Sequence, residues 1–430
     1  MKHFLLYFYI LINIAGFACR TDMTAPVSPD VQLSAEDIAV TDVWLKVHIT
    51  PSIPHDSIRV TRNEATVLTL GFAGVDTLLI DEHLLPKQTY TYKLYTFGTN
   101  KPNFSSEALT LITMDTTRHD FTWQIDTLGD GSASKLNDVA IINDTLAYAV
   151  GEIYLEDSSG QFDPLPYNFV VWNGRSWDLR KAIVYYQGNP VVAPIEGIYA
   201  FSATDVWLAS SYPIHGDGVN WTLYRLPDMG INASVSKIWG TSSNNIYFVG
   251  RNGSLVYFSV GSWQKFQSGT TVDINDIYGK TLLNNDIQIL AAASNRYTLG
   301  ERKLLQITQG GNVNSLAWSP QQRLNTLWFA SHHAIYLGGG GLFVGEPGRW
   351  KQILDLPNYY STRIRGTESN NVFVAGAFGL CGHFNGMTWQ SYPEVQLPDG
   401  TYEGLTVSEK LVIAVGQVGN RAVVIRGYRE

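Results

Sequence analysis

Short runs of alternating apolar and polar residues, separated by turn residues, occupy most of the chain after residue 37. Ser57-Ile58-Arg59-Val60-Thr61-Arg62 and Thr66-Val67-Leu68-Thr69-Leu70 are examples. An alternation of period two predicts half-buried β-strands, and Gly, Pro, Asn and Asp between the runs predict tight connections. The sequence therefore predicts an all-β protein.

Residues 38–114 contain six or seven such runs, which is typical of one β-sandwich. The segment Leu84-Leu85-Pro86-Lys87-Gln88-Thr89-Tyr90 resembles the Leu-x-Pro-x-x-x-Tyr signature of fibronectin type III domains. The resemblance implies that Tyr90 is a corner tyrosine whose hydroxyl bonds backbone upstream, and that Trp44 is the early core tryptophan. It also implies a spacer or binding module.

The rest of the chain repeats. Seven aligned segments share a central aliphatic residue, at spacings of 37 to 59 residues: Val139, Ile198, Ile238, Ile277, Leu327, Ile364 and Leu405. Each unit contains four predicted strands, a to d. Strand a is the aligned segment, strand b ends in glycine, as at Gly250, and strand d begins at a tryptophan, as at Trp389. Four-stranded units of about 40 residues predict a β-propeller.

The last unit, residues 402–430, has no tryptophan strand. A matching strand, residues 121–128, stands instead before the first strand a. An N-terminal strand that completes the last blade closes a ring and hides both sheet edges, which favours a propeller over an open solenoid. We therefore predict a fibronectin type III-like sandwich at 38–114, followed by a seven-bladed β-propeller at 120–430 closed by that strand.

The repeats carry a Gly-Thr-Ser-x-Asn pattern at Gly240 and an Asn-Gly-x-x-Trp pattern ending at Trp389. They resemble bacterial seven-bladed propellers of the sialidase-like and photosystem-assembly-factor-like kind. A true Asp-box is absent, because only its last part is kept at 385–389. The resemblance carries no assigned activity.

The N-terminus has the features of a targeting signal. A short positive start precedes an apolar run at 4–18, which is too short to span a bilayer comfortably. Cleavage after Ala18 by ordinary signal peptidase is one interpretation, and lipidation of Cys19 is the other. A cysteine at the cleavage point favours lipidation, although Gly16 and Phe17 depart from the usual lipobox.

The predicted chain is therefore an outer membrane lipoprotein of the bacterial cell envelope. Residues 1–18 are the signal peptide, residues 19–37 are a flexible tether, and the lipid is the sole membrane contact. Periplasmic and surface-exposed orientations stay open. The combination looks like a surface lipoprotein of a Gram-negative bacterium.

The amino-acid composition excludes several classes of fold and site. With 39 Gly, 12 Trp and 16% charged residues, the chain does not suit a helical bundle. Two cysteines exclude a four-cysteine zinc site, and a formal charge of −8 argues against a nucleic-acid surface. If Cys19 carries lipid, Cys381 is left alone, and we expect it to be a small buried residue. No motif predicts a catalytic residue, metal or cofactor.

Loop lengths indicate a binding face. In each blade the b–c and d–a loops emerge on one side, and the long connections fall there. The predicted contact residues are Tyr154, Phe162, Tyr185, Tyr186, Tyr212, His215, Tyr297, Tyr359 and Tyr360. Aromatics with carboxylates around a concave mouth suit a carbohydrate or protein ligand.

Three functions follow. The favoured hypothesis is a monomeric, non-catalytic surface binding protein. The second is a sialidase-like carbohydrate-active enzyme, which acids and arginines clustered at the channel mouth would support. The third is an assembly or secretion partner in the envelope, which a large flat apolar patch would support.

Overall fold

The computed structural model describes residues 25–71, 75–282 and 286–429. The chain forms two compact units, the first ending at Thr117 and the second beginning at Arg118. Both are built from strands, and the described helical segments are two short 3₁₀ turns, Leu226–Met229 and Pro393–Val395. Within these ranges no helix is long and apolar enough to cross a membrane. The predicted signal peptide and Cys19 lie outside the described residues.

The first unit is a sandwich of two sheets. One sheet has the order β1 (Val31–Ile38), β2 (Val43–Ile49) and β5 (Asp76–Asp81). The other has the order β4 (Ala65–Leu70), β3 (Ser57–Arg62) and β6 (Thr89–Phe97), and β6 pairs with both β7 (Phe104–Ser105) and β8 (Leu109–Ile112). Strand β1 begins within the predicted tether. The expected flexible segment is therefore wrong for residues 31–37, because Val31, Leu33 and Ala35 pack on the sandwich core.

Tyr90 forms the predicted upstream bond, since the backbone N–H of Leu85 donates to its hydroxyl oxygen at 2.9 Å. Trp44 is buried, at 9% exposure, but it is not part of the apolar cluster between the two sheets. Alternate residues of a strand face opposite sides, and β2 directs Val43, Leu45 and Val47 into the core. Trp44 therefore lies on the opposite face of that strand.

The second unit contains seven four-stranded antiparallel sheets among its described residues. In sheets 1 to 6 the strands follow chain order. Sheet 1 contains β10 (Gly131–Asn143), β11 (Leu146–Tyr154), β12 (Tyr167–Trp172) and β13 (Trp177–Arg180), and sheet 2 contains β16 (Gly197–Ser202), β17 (Asp205–Ser210), β18 (Tyr212–Gly216) and β19 (Trp221–Leu223). Sheet 3 contains β20 (Ser234–Ser242), β21 (Asn245–Arg251), β22 (Leu255–Ser259) and β23 (Ser262–Lys265), and sheet 4 contains β24 (Ile274–Thr281), β25 (Ile287–Ser294), β26 (Arg302–Ile307) and β27 (Val313–Leu316). Sheet 5 contains β28 (Leu324–Phe329), β29 (Ile335–Gly339), β30 (Leu342–Glu346) and β31 (Arg349–Gln352), and sheet 6 contains β32 (Ser361–Gly366), β33 (Val372–Gly376), β34 (Cys381–Phe384) and β35 (Trp389–Ser391). A small hairpin, β14 (Val184–Tyr186) and β15 (Asn189–Val191), connects sheets 1 and 2.

Sheet 7 joins the two ends of this unit. It has the order β36 (Gly400–Val407), β37 (Leu411–Val418), β38 (Arg421–Tyr428) and β9 (Thr122–Leu128). Ile125 of β9 lies opposite Ile425 of β38, which confirms the predicted pairing of the N-terminal strand with the last repeat.

Apolar clusters lie between neighbouring sheets. The cluster between sheets 1 and 7 joins Leu136 and Val139 to Val415 and Val424. Because the sheets pack on both faces, their second strands are buried throughout, as in β21 from Ile246 to Gly250. A Cβ on Gly250 would lie 2.3 Å from the Ser234 carbonyl oxygen, so this strand end requires glycine. Cys381 is 2% exposed, as expected.

Candidate functional site

The first strands of the seven sheets surround a central opening, which widens on the side of the b–c and d–a loops into a cavity of about 630 Å³. We call this cavity the mouth. Its lining residues include Lys135, Asn137, Glu152, Glu196, Lys237, Arg251, Asn275, Arg296, Tyr297, Asn325, Arg363 and Glu403. Most of these side chains are polar or charged.

Ion pairs form the wall of the mouth. Lys135 binds Glu152 at 3.1 Å, and Arg251 binds Glu196 at 2.8 Å. Arg296 binds Glu403 at 3.0 Å. Burial opposes the charge of Arg296, but Glu403 outweighs this effect and raises the pKa of the guanidinium. Each of the three wall glutamates therefore has a cationic partner.

Hydrogen bonds from three asparagine side chains link neighbouring sheets just inside the mouth. The second residue of the aligned strand segment is Asn137, Asn275 or Asn325 in sheets 1, 4 and 5. Asn275 and Asn325 each donate the side-chain N–H to a backbone carbonyl of the next sheet, at 3.1 and 2.8 Å. Asn137 donates to the carbonyl of Ile195, two residues before β16, at 2.8 Å. These bonds hold the first strands at fixed spacing and fix the shape of the mouth.

In sheets 1, 3, 4 and 6 the next residue is charged, and these four residues build the base of the mouth. We call Asp138, Lys237, Asp276, Arg363 and Arg365 the charged floor. Arg365 donates to both carboxylate oxygens of Asp276, at 2.8 and 3.0 Å, and Arg363 donates to the same carboxylate at 2.8 Å. Lys237 binds Asp138 at 3.0 Å. Lys237 lines both the mouth and a second cavity on the other side of the floor.

Burial and charge compete across the floor. Burial alone would raise the pKa of Asp276, but Arg365 and Arg363 outweigh it and lower this pKa. The pKa of Asp138 is also lowered, since Lys237 and Arg363 outweigh its burial. Both carboxylates are therefore anions and are fully engaged by the floor cations. They do not form a free cation site.

Beyond the floor lies a second cavity of about 210 Å³. It is lined by the residues that follow the central aliphatic positions, including Tyr199, Trp239, Tyr278, Trp328 and Arg365. Trp328 is fully buried, and a Cβ on Gly366 would lie 2.9 Å from its ring. These aromatics pack against neighbouring sheets and are mainly structural.

Three predicted aromatics lie at or beside the mouth. Tyr297 lines it and is 86% exposed. The Tyr154 hydroxyl donates to Glu152 at 3.2 Å. Tyr360 lies beneath the guanidinium of Arg323, which is 5.0 Å from its ring centre.

Four more lie farther out on the same face. Phe162 lies in the b–c loop of sheet 1, and Tyr185 and Tyr186 belong to β14. Arg225 covers the Tyr186 ring at 4.4 Å. Tyr359 packs on Phe378, with ring centres 5.0 Å apart.

The predicted loop location of His215 is wrong, whereas Tyr212 lies next to the one-residue b–c turn, on the predicted face. Both residues belong to strand β18, because Ser211 alone connects β17 to β18, with a positive φ of 61°. His215 stacks on Trp207 with ring centres 4.3 Å apart and bonds Asp205 at 2.9 Å. These contacts place His215 towards the a–b and c–d turns, away from the mouth.

Apolar side chains are exposed on the outer loops of the mouth face. We call them the rim, and its members are Phe162, Leu165, Ile183, Tyr185, Met229, Tyr297, Leu299, Leu354, Tyr359 and Phe378. On the turn side of the described second unit, the exposed large apolar residues are Val219, Val260 and Met387. The mouth face is therefore the more apolar of the two at its periphery.

No protein-family model matches the sequence, and no curated protein matches it. Several solved structures are similar to this chain. A structure of YCF48 bound to a D1 peptide has a TM-score of 0.55 and 15% identity, covering 74% of this chain and all of that one. The fold is a β-propeller.

Two further propellers are similar. YCF48 from Cyanidioschyzon merolae has a TM-score of 0.51 and 14% identity, over 71% of this chain and 98% of that one. The WD40 β-propeller domain of Doa1 has a TM-score of 0.52 and 12% identity, over 72% and 98%. At these identities the likeness shows the fold alone.

The charged floor was not among the predicted site residues. Its signal is the residue just before the central aliphatic of each aligned strand, which is Asp138, Lys237, Asp276 or Arg363 in four of the repeats. A charged residue at an innermost strand position marks a polar channel, once the repeats are known to form a propeller.

Proposed function

We propose that this chain is a non-catalytic binding module of the bacterial cell envelope that captures a segment of a protein at its mouth face. The polar mouth encircled by the apolar rim carries the proposal. Exposed aromatic and aliphatic groups supply the anchors of a protein interface, and polar groups supply its specificity. The neighbouring YCF48 structure, which contains a D1 peptide, supports a peptide-binding role for this fold.

The architecture of the proposal has several parts. The seven sheets are the blades of a ring closed by β9, and the sandwich is a fibronectin type III-like spacer. Cys19 carries the lipid that tethers a monomeric chain to the outer membrane. The packing of a three-stranded sheet on a five-stranded sheet and the Tyr90 bond support the spacer assignment.

The test compares two surface variants of the chain on protein-fragment and glycan arrays. Tyr297→Asp with Leu299→Asp alters the rim, and Val260→Asp places the same charge on the turn side. We expect the wild type and the Val260 variant to bind protein fragments, with about tenfold weaker binding by the rim variant. Binding to neither array, or equal binding by all three proteins, would refute the proposal. Binding to glycans alone would assign the ligand to carbohydrate.

A sialidase-like carbohydrate-active enzyme is the second candidate, because arginines and acids do cluster at the mouth. Arg251 and Arg296 lie there with Glu196 and Glu403. Their mutual pairing favours the binding role, since neither pair leaves a free acid for proton transfer. Release of the aryl group from aryl glycosides, lost in an Arg296→Met variant, would favour the enzyme instead.

A further inference from the structure

The charged floor contains more positive than negative groups. Lys237, Arg363 and Arg365 face the carboxylates of Asp138 and Asp276, so the described floor has one excess positive charge. Buried charge is costly unless it is paired. A bound anion with a single charge would make the floor neutral.

The excess lies on the side of the mouth. Asp138, Asp276 and Arg365 line the second cavity, whereas Arg363 lines the mouth and Lys237 lines both. The carboxylate of Asp276 has little acceptor capacity left, because the hydroxyl of Thr326 donates to it at 2.7 Å in addition to Arg363 and Arg365. The cations that face the mouth therefore have fewer acceptors than donors.

Donor counting gives the same result. An ammonium group has three N–H donors. Lys237 uses one on Asp138 at 3.0 Å and one on the Glu196 carbonyl at 2.7 Å, which leaves the third. Arg363 is 2% exposed, and its Nε has no hydrogen-bond partner among the described residues. The Lys237 side chain keeps 15% exposure and is accessible from the mouth.

We infer that the floor of the mouth binds a carboxylate group of the ligand, and that Lys237 is the cation that receives it. The inference rests on the proposed function and deepens it, because it names the group that enters the mouth. One carboxylate matches the single excess charge, whereas a dianion would leave the floor negative. The carboxylate could belong to a peptide or to a sugar acid, and the chemistry at Lys237 is the same.

The site has a predictable pH dependence. Burial, assisted by Arg363, lowers the pKa of Lys237 to about 8, although Asp138 and Asp276 act in the opposite sense. The Glu196 side chain is engaged by Arg251. Lys237 is therefore a cation below pH 8 and loses its charge as the pH rises through 8. We expect carboxylate affinity to fall about tenfold between pH 7 and pH 9.

Calorimetry of the full chain tests the inference with two matched pairs of ligands. N-acetylated tetra-alanine with a free C-terminal carboxylate is compared with its C-terminal amide, and glucuronic acid is compared with glucose. We expect at least one acid to bind at pH 7 at least tenfold more tightly than its neutral partner. The pair that shows this difference identifies the source of the carboxylate.

Two variants complete the test. Lys237→Met should lower the affinity for the acid at least tenfold, whereas Lys280→Met, which removes a lysine paired with Glu368 outside the lining of the mouth, should change it less than about threefold. Equal binding of acid and neutral ligands overturns the inference, as does unchanged affinity in Lys237→Met or between pH 7 and pH 9. If Lys237→Met does not fold, the pH series decides alone. Array binding that survives a failed acid test would leave the proposed function standing.

Discussion

At the scale of single residues, Asp276 is the central hydrogen-bond acceptor of the charged floor. Its carboxylate accepts from Arg363, Arg365, Thr326 and the backbone N–H of Leu327, and it has almost no solvent contact. Replacing it by asparagine removes the negative charge but leaves the buried guanidinium of Arg363 and the partly buried guanidinium of Arg365. We predict that Asp276→Asn lowers the free energy of unfolding by about 3–5 kcal/mol, measured by urea denaturation.

An exposed ion pair of the same unit is the matched control. Glu368 binds Lys280 at 3.1 Å, and its side chain is 52% exposed. Glu368→Gln should change stability by less than about 1 kcal/mol, because solvent screens the pair. Equal effects of the two substitutions would show that the floor is not a stabilising network.

At the scale of elements, β9 is the fourth strand of the last sheet and stabilises it. It pairs with β38 along its whole length, and Asp126 binds Arg426 at 2.8 Å. Just before it, the Nδ1 atoms of His119 and His383 are 2.8 Å apart, and the Tyr392 hydroxyl donates to the His119 carbonyl at 2.9 Å. We predict that deleting residues 120–129 markedly lowers the thermal unfolding midpoint of the propeller, measured by calorimetry.

The control for the deletion keeps the strand and changes only its surface. The Gln124 side chain is exposed, so Gln124→Ala should shift stability by at most about 0.5 kcal/mol. An unchanged midpoint after the deletion would contradict closure of the ring by β9.

The elements also show what the sequence can predict. Strands such as β20 and β32 follow from the repeated segment, because Ile238 and Ile364 occupy equivalent buried positions. Strand β18 does not follow, because Pro213 and two nearby glycines are turn signals, and no pattern predicts a left-handed Ser211. The charged floor was missed for a different reason: Asp138 and Arg363 are 225 residues apart, and only the ring brings them together.

At the scale of the whole molecule, the proposed function depends on where the chain is held, and residue 19 decides this. Cleavage after Ala18 alone would leave a free N-terminal cysteine on a released protein. Lipidation of Cys19 would instead add acyl chains that hold the chain at a membrane. The two alternatives for the signal therefore predict different cell fractions for the same sequence.

We predict that the wild-type chain, expressed in a Gram-negative bacterium, fractionates with membranes and partitions into a detergent phase. Cys19→Ser should move it to the soluble fraction, because the acceptor of the lipid is lost. Cys381→Ser is the control, since that thiol is 2% exposed and burial raises its pKa, so it is a poor target for modification. Membrane retention of the Cys19 variant, or a soluble wild type, would favour ordinary signal peptidase cleavage. The mouth would then act on ligands as a released protein.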